Sequence, residues 1–286
     1  MNTYCMRMTP FDHVKQQLSG KIPQDCLQLL PRKWEKIGSV VVLKLPKELI
    51  PYQELLGEAY AEKLGCATAL QDTGGVSGTY RTPRVDLIWG SRMTETMHKE
   101  NGVCFYLDPQ KVMFSSGNMA ERKRMALISN SQETVVDLFA GIGYFTIPIA
   151  VHSKPRRIYA CEVNPVAFEF LRKNIVVNNV SDVVEPLLGD NRLVAPQGCA
   201  DRVLVGYLQQ TDRFLPVAFD CLREGKGILH YHGFVSMAVH PDDLVRKVKD
   251  AAKEHGRRVT LLMIKKIKSY APGIDHVVLD LRIGVG

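Results

Sequence analysis

A short run of acidic and glycine residues near the middle of the chain has the composition of a nucleotide-binding loop. Residues 137–143 read Asp-Leu-Phe-Ala-Gly-Ile-Gly and lie between a buried-type strand and a helix-like segment. Gly141 and Gly143 let the backbone turn sharply and approach a ligand without a clash at Cβ. Asp137 can meet a cationic group of that ligand, directly or through water. A dinucleotide loop normally reads G-x-G-x-x-G, whereas here Thr146 takes the place of the third glycine.

Two further acidic groups follow at the ends of the next two strand-like segments. Glu162 closes one of them, and its carboxylate can accept hydrogen bonds from both hydroxyls of a ribose. Asp190 and Asn191 follow the other, and Asp190 can accept a hydrogen bond from an adenine amino group. Open α/β sheets bind ligands at the carboxyl ends of their strands. The three elements together predict a site for an adenosine-containing cofactor.

The second half of the chain alternates strand-like and helix-like segments, which is typical of a parallel sheet with helices on both faces. A Pro at the first turn supports the helix at residues 165–178. The last two strand-like segments, 258–267 and 276–283, follow one another without a helix and indicate a closing antiparallel hairpin. That ending is typical of class I methyltransferases rather than dehydrogenases, and it makes S-adenosylmethionine the expected cofactor. The other predicted segments are strands at residues 134–137, 157–162, 183–188, 202–206 and 227–231, and helices at 144–151 and 215–222.

The first hundred residues have a different, mixed pattern. We expect helices at residues 11–18 and 52–64, strands at 37–45 and 85–89, and a loop at Gly74, Gly75 and Gly78. The predicted fold class is therefore α/β, a class I methyltransferase-like (Rossmann-like), mostly parallel sheet with a smaller N-terminal α+β domain. The expected domains are residues 1–101 and 102–286.

Composition limits the partners and the location. The net charge of +7 and the basic clusters at residues 122–124, 154–157, 257–258 and 265–268 favour a polyanionic partner. The seven cysteines show no C-x-x-C spacing, so we expect a reducing compartment and no metal site. The apolar runs are shorter than the ~20 residues of a membrane span, and the N-terminus does not resemble a secretory signal. We expect a cytoplasmic monomer that does not enter a membrane.

Several motifs together resemble one family. They are D-L-F-A-G-I-G-Y-F-T at residues 137–146, C-E-V-N-P at 161–165 and G-D-N-R at 189–192, with H-K-E-N-G at 98–102 and V-M-F-S-S-G-N-M-A-E-R at 112–122. The chain resembles the tRNA guanine methyltransferases and wybutosine-synthesis enzymes that modify the base 3′ of the anticodon. The resemblance implies tRNA as partner and covers residues 92–286.

Two departures separate the branches of this family. The methyltransferase branch is expected to carry an Asn-Pro-Pro type motif after the fourth strand and Ser-Pro-Arg after Phe114. Here the fourth strand leads into Tyr-Leu-Gln-Gln-Thr at residues 207–211, and Phe114 is followed by Ser-Ser-Gly-Asn. Both look like the tRNA wybutosine-synthesising protein 2 branch. The chain is then expected to transfer the 3-amino-3-carboxypropyl group of S-adenosylmethionine to the tricyclic 4-demethylwyosine base in the anticodon loop of phenylalanine tRNA, releasing methylthioadenosine.

Two alternatives stay open at this point. One is a guanine-N1 methyltransferase acting at the same tRNA position, and the other is a non-catalytic tRNA-binding module that uses the nucleotide pocket as a sensor. All three carbons on a sulfonium are electrophilic, so the carbon presented to the nucleophile decides which group is transferred.

The resemblance also implies which residues contact the cofactor: Ser115, Arg122, Glu162, Asp190 and Asn191. Arg122 can pair with the methionyl carboxylate or with an RNA phosphate, and we expect the former. His230 and His232 share one face of a strand and are expected to pack in the core. We assign no general base, because positioning can supply much of the acceleration and water can accept the proton. The small N-terminal domain is expected to orient the tRNA.

Overall fold

The computed structural model describes residues 8–208, 210–236 and 240–286. It contains two compact units, which are described separately. The first comprises the chain up to Lys99 together with Phe105–Ser116, and the second comprises Glu100–Cys104 with Gly117–Gly286. The single boundary predicted between residues 101 and 102 differs from this division, because the chain enters the second unit, returns to the first and leaves it again after Ser116.

The first unit is an α+β structure with a four-stranded sheet. Its first helix begins at Pro10 because the Thr9 hydroxyl accepts a hydrogen bond from the Asp12 amide while the Asp12 carboxylate accepts one from the Thr9 amide. Its long helix ends where Gly65 adopts a φ of 62°. The helices are α1 (Pro10–Leu18), α2 (Gln24–Gln28) and α3 (Gln53–Leu64), and the strands, in sheet order, are β1 (Glu35–Ile37), β2 (Val40–Leu43), β3 (Thr68–Ser77) and β4 (Thr82–Gly90).

The predicted loop at Gly74 and Gly75 is wrong. Both residues lie inside β3, whose antiparallel pairing with β4 continues to Ser77. The ladder shifts its register between Asp72 and Val76, and the Asp72 carboxylate accepts hydrogen bonds from the amides of Gly74 and Gly75 at 3.0 and 2.7 Å. Glycine here marks a bulge within a strand.

The chain passes between the units along a two-stranded hairpin that was not predicted from the sequence. Strand β5 (Thr96–Glu100) and strand β6 (Val103–Leu107) are joined by Asn101 and Gly102, which have φ angles of 47° and 75°. Asn-Gly favours a two-residue hairpin turn because both residues tolerate positive φ.

The second unit contains a seven-stranded sheet with helices on its faces. Its strands are β7 (Thr134–Asp137), β8 (Arg157–Glu162), β9 (Val184–Leu188), β10 (Arg202–Val205), β11 (Gly227–Ser236), β12 (Arg257–Ala271) and β13 (Ile274–Val285). Its helices are α4 (Met119–Met125), α5 (Thr146–His152), α6 (Pro165–Val177), α7 (Asn191–Val194), α8 (Leu215–Cys221) and α9 (Pro241–Glu254).

The sheet order is β12-β13-β11-β10-β7-β8-β9. Strands β11, β10, β7, β8 and β9 run parallel, while β13 lies antiparallel between β11 and β12. The predicted class I methyltransferase-like sheet with a closing hairpin is confirmed. Helix α9, between β11 and β12, was not predicted.

The two faces of the sheet near β11 differ in character. One face forms an apolar core with α8 and α9, in which Leu229, Phe219 and Val248 are fully buried. The other carries His230, whose Nδ1 lies 2.6 Å from Asp280 Oδ1, and Arg124 donates to the same carboxylate at 2.6 Å. His230 and His232 are 2% and 1% exposed, as predicted for core residues. Within the described residues, no helix combines the length and hydropathy that crossing a membrane requires.

Candidate functional site

Three parallel strands bring the predicted acidic residues to one edge of the sheet. Asp137 ends β7 and is paired in register with Ala160, two residues before Glu162 at the end of β8. Glu162 is in turn paired with Leu188, the last residue of β9, two residues before Asp190. Because these carboxyl ends are neighbours, the three loops that follow them converge as predicted.

The glycine loop depends on both of its glycines. Gly141 and Gly143 have φ angles of 59° and 98°, a region that disfavours residues with a side chain. A Cβ on Gly143 would lie 2.5 Å from Ile147 Cγ1 and 3.1 Å from Leu171 Cδ1, so this glycine allows α5 and α6 to pack against the loop. Gly141 instead presents its backbone amide to Glu162.

Asp137 is fully buried beneath that loop. Its Oδ2 accepts a hydrogen bond from the Thr146 hydroxyl at 2.7 Å, and its Oδ1 accepts one from the Phe139 amide at 3.2 Å. Burial raises the pKa of Asp137 to about 6, and these hydrogen bonds oppose the shift. Asp137 therefore holds the loop against the first turn of α5. Its contact with a cationic methionyl group stays a prediction.

Glu162 joins two of the loops. Its Oε2 accepts from the Gly141 amide and its Oε1 from the Asn164 amide, both at 2.7 Å. Burial raises the pKa of Glu162, while these amides oppose the shift. A carboxylate offers about four lone-pair positions, so this half-buried group can still accept hydrogen bonds from a diol.

Asp190 and Asn191 present acceptors at the end of β9. The Asp190 side chain caps α7, accepting from the Arg192 amide at 3.0 Å, and it pairs with the Arg192 guanidinium, which lowers the pKa of Asp190. Asn191 Nδ2 donates to the Leu138 carbonyl at 2.8 Å, which fixes the orientation of the amide. Asn191 Oδ1 is buried and has no hydrogen-bond partner. A buried acceptor of this kind is costly unless a donor from a ligand reaches it.

Arg122 and Ser115 are placed differently from the other predicted residues. Arg122 is 2% exposed and its guanidinium is paired with the Glu100 carboxylate through Nε to Oε1 and Nη2 to Oε2, the latter at 2.8 Å. Arg122 and Glu100 line a cavity of about 210 Å³, and Pro148 and His152 also contribute to its lining. Ser115 belongs to the first unit and is half-buried. Their contacts with a cofactor stay predictions.

An aromatic cluster beside the loops was not predicted from the sequence. Phe139 stacks on Tyr207 with ring centroids 5.1 Å apart, and Phe214 meets both rings edge-on. Next to it is a cavity of about 520 Å³ at the carboxyl ends of β10 and β11. Its lining includes Tyr207, Leu208, Gln210, Thr211, Asp212, Tyr231, Gly233, Phe234, Leu244 and Lys247. The position of residues 207–211 just after a parallel strand was the available sequence signal.

The chemistry of this edge fits an adenosine moiety and a neighbouring planar group. Acceptors are available for hydroxyl and amino donors at Glu162, Asp190 and the unpartnered Asn191 Oδ1. Within residues 8–208, 210–236 and 240–286, no three His, Cys, Asp or Glu side chains are grouped to hold a metal ion.

Family models match both parts of the chain. Residues 96–261 match the TRM5/TYW2 methyltransferase domain, and residues 14–94 match the TYW2 N-terminal domain.

Individual relatives match along nearly their whole length. A tRNA(Phe) (4-demethylwyosine(37)-C(7)) aminocarboxypropyltransferase of Pyrococcus horikoshii is 42% identical over 94% of this chain and 96% of the relative. The crystal structure of P. horikoshii TYW2 in complex with MeSAdo superposes with a TM-score of 0.86 at 40% identity, covering 96% of this chain and 98% of the other. That of Methanocaldococcus jannaschii TYW2 in complex with AdoMet gives a TM-score of 0.73 at 39% identity, covering 89% and 100%. With the three loops and their acidic residues at the sheet edge, these matches show that the chain belongs to the TRM5/TYW2 family of tRNA-modifying transferases.

Proposed function

We propose that this protein transfers the 3-amino-3-carboxypropyl group of S-adenosylmethionine to C7 of 4-demethylwyosine at position 37 of phenylalanine tRNA. The observation that carries the proposal is the 42% identity to an enzyme named for this reaction, which extends over 94% of this chain. The N-terminal match to the TYW2 domain supports the same branch. Its tRNA substrate supports the cytoplasm as the place of action, and we propose that it acts as a monomer.

The adenosine end of the donor is assigned to the three loops. Glu162 accepts hydrogen bonds from the ribose hydroxyls, because its carboxylate is fixed by two amides and has acceptor positions left. Asp190 and the unpartnered Asn191 Oδ1 accept from donors at the adenine end. We assign the methionyl end to Ser115 and Arg122.

The acceptor base is assigned to the 520 Å³ cavity beside these loops. Tyr207, stacked on Phe139 of the glycine loop, stands where the methyltransferase branch is expected to have an Asn-Pro motif. A flat aromatic wall suits a tricyclic base, since stacking needs no particular hydrogen-bond pattern. This wall can present the base in line with the carbon to be transferred.

The donor supplies a sulfonium whose carbon–sulfur bond breaks as the base carbon attacks. A carbon–carbon bond forms, the thioether leaves as methylthioadenosine, and the proton on the base carbon passes to water. The residues of the chain bind and orient the donor and the acceptor base, and they exclude bulk water. The Lys and Arg side chains bind the tRNA phosphates, which carry the opposite charge. Residues 1–101 orient the tRNA.

A double-labelling experiment tests the proposal. The purified protein is incubated with tRNA carrying either 4-demethylwyosine or guanine at position 37, and with S-adenosylmethionine labelled either on the methyl or on the carboxyl carbon. We expect label in RNA only from the carboxyl carbon, with an equal amount of methylthioadenosine. Label only from the methyl carbon would identify the alternative, a guanine-N1 methyltransferase. Saturable cofactor binding without transfer to any tRNA would identify a non-catalytic binding module.

A further inference from the structure

Two aromatic rings meet at the outer end of the closing hairpin. Phe234, near the end of β11, and Tyr270, near the end of β12, have ring centroids 4.4 Å apart at an interplanar angle of 47°. Phe234 is half-buried, whereas Tyr270 remains 44% exposed despite this contact. Together they form an aromatic pair that is accessible on its Tyr270 side.

A series of rings connects this pair to the cofactor loops. The Phe234 ring meets His276 at 6.5 Å, and His276 meets His232 at 5.2 Å with 3.0 Å between Nε2 and Nδ1. His232 stacks on Phe145, two residues after the glycine loop, at 5.2 Å and 21°. His232 and His276 are 1% and 3% exposed. The aromatic pair therefore rests on a buried, close-packed base.

Phe234 also lines the 520 Å³ cavity, together with Tyr207, Tyr231 and Lys247. The cavity proposed for the acceptor base and the exposed Tyr270 are thus neighbours across one phenylalanine ring. Consecutive bases of a single-stranded RNA loop are joined by one backbone linkage, so a base adjacent to the one in the cavity can reach the Tyr270 ring.

The charge around the pair favours an anionic partner. At the end of the hairpin that carries Tyr270, from Lys265 to Asp275, there are three lysines and one aspartate. That aspartate, Asp275, is paired with Lys266 at 2.6 Å and accepts from the Ser269 hydroxyl at 3.0 Å. An excess of basic groups beside an aromatic ring is the combination that binds single-stranded nucleic acid, because phosphates pair with the cations and bases stack on the ring.

We propose that Phe234 and Tyr270 form a stacking platform for the unpaired tRNA nucleotide adjacent to the base being modified. The inference rests on the proposed function for its choice of RNA. Tyr270 stacks on the neighbouring base while Phe234 separates that base from the acceptor cavity. Recognition of single-stranded loops by splayed bases on aromatic side chains is the general mode for RNA.

Binding of an anticodon stem-loop that carries 4-demethylwyosine is measured without any transfer reaction. Tyr270→Ala should weaken binding by about tenfold, within the range that base–aromatic stacking contributes, and Tyr270→Phe should stay within about twofold of wild type because the ring is kept. The matched control is Leu262→Ala, which removes an equally exposed apolar side chain (46%) from the same strand and should bind as wild type. Affinity for methylthioadenosine should be unchanged in all three variants.

RNAs lacking one base identify the nucleotide. On a stem-loop with an abasic site next to the target base, on the side that stacks, wild type and Tyr270→Ala should bind equally, while an abasic site elsewhere in the loop preserves their difference. Equal binding of the two proteins to intact RNA, or a loss unaffected by either abasic site, would overturn the platform. So would a wild-type dimer in sedimentation that Tyr270→Ala dissociates, since the surface would then bind a second copy. These experiments measure binding only. Failure of the proposed function would appear instead in the double-labelling experiment, as RNA binding without transfer.

Discussion

The Glu162 carboxylate accepts a hydrogen bond from the Gly141 backbone amide at 2.7 Å, so the residue expected to bind the ribose also fixes the glycine loop. One side chain therefore couples the shape of the loop to the acceptors offered to the ligand. The coupling passes through a half-buried carboxylate whose two oxygens are each held by an amide.

Substituting Glu162→Ala should weaken S-adenosylmethionine and methylthioadenosine binding alike, by about tenfold or more. The physical reason is the loss of charge-assisted hydrogen bonds, each of which contributes about 1.5–3 kcal/mol. Isothermal titration calorimetry measures both affinities. The control is Glu185→Ala on the adjacent strand β9, which removes a half-exposed ion pair with Arg157 and should leave both affinities unaltered. Wild-type affinity in Glu162→Ala would refute the ribose role.

Gly143→Ala should destabilise the protein through packing and not only through its backbone conformation. The added Cβ would lie 2.5 Å from Ile147 Cγ1 at a φ of 98°. Gly198→Ala is the matched control, because Gly198 also has a positive φ of 63° but a Cβ added there would meet no atom within 4 Å. Chemical denaturation should show Gly143→Ala less stable than the control by about 1–3 kcal/mol, the usual cost of overpacking. Equal loss of stability in both variants would contradict this prediction, because α5 and α6 would then accommodate the added Cβ without a packing cost.

The central strands could be predicted because each of their signals is local. Strand β8 has the predicted bounds, since an apolar run ends at Glu162 and Pro165 begins the next helix. Helix α9 could also have been predicted, because Pro241 is followed by two acidic residues, which is typical of a first helical turn, and by apolar residues at helical spacing, Leu244 and Val248.

Other features depend on contacts between distant parts of the chain. The ion pair of Glu100 with Arg122 forms because the turn of the β5–β6 hairpin brings residues 100–104 into the second unit before the chain returns to the first. The stack of Phe139 on Tyr207 joins two loops that follow different strands. No periodicity in the sequence specifies such pairs. The loop predicted at Gly74 failed for a similar reason, since pairing with β4 overrides the turn preference of glycine.

The stability of Asp137→Asn relative to wild type should rise as the pH increases from below 4 to about 7. Burial raises the pKa of Asp137 to about 6 from 3.8, so the native state holds its proton more tightly than the unfolded state does. Such a group contributes stability below pH 3.8 that is lost as the pH rises through about 6. Asparagine does not titrate, so relative to wild type the variant should gain about 3 kcal/mol in total as the pH rises through both pKa values, of which about 1.4 kcal/mol falls above pH 5.

Urea denaturation at a series of pH values measures this difference. Asp220→Asn, which changes an exposed carboxylate on α8, serves as the control and should follow the wild-type curve. A constant difference between Asp137→Asn and wild type from pH 5 to 8 would contradict the burial of a titrating carboxyl at this position.

The role of Arg122 can be separated from its ion pair. Arg122→Gln alone leaves the Glu100 carboxylate buried without its cation and should cost about 3–5 kcal/mol of stability. The double variant Arg122→Gln with Glu100→Gln replaces two buried charges by two amides and should recover much of that loss. In this folded background, the affinity for S-adenosylmethionine should fall by about tenfold, because a charge-assisted bond to the methionyl carboxylate is lost.

Methylthioadenosine lacks that carboxylate, so its affinity for the double variant should stay within about twofold of wild type. The ratio of the two affinities is thus the readout that a merely structural arginine would not change. Loss of both affinities would point to damage at the adenosine loops, and retention of both would leave the buried pair with Glu100 as the whole role of Arg122. A loss of affinity for S-adenosylmethionine alone would indicate that the carboxylate of the transferred group lies next to the Arg122 guanidinium, and that adenosine binding does not depend on this arginine.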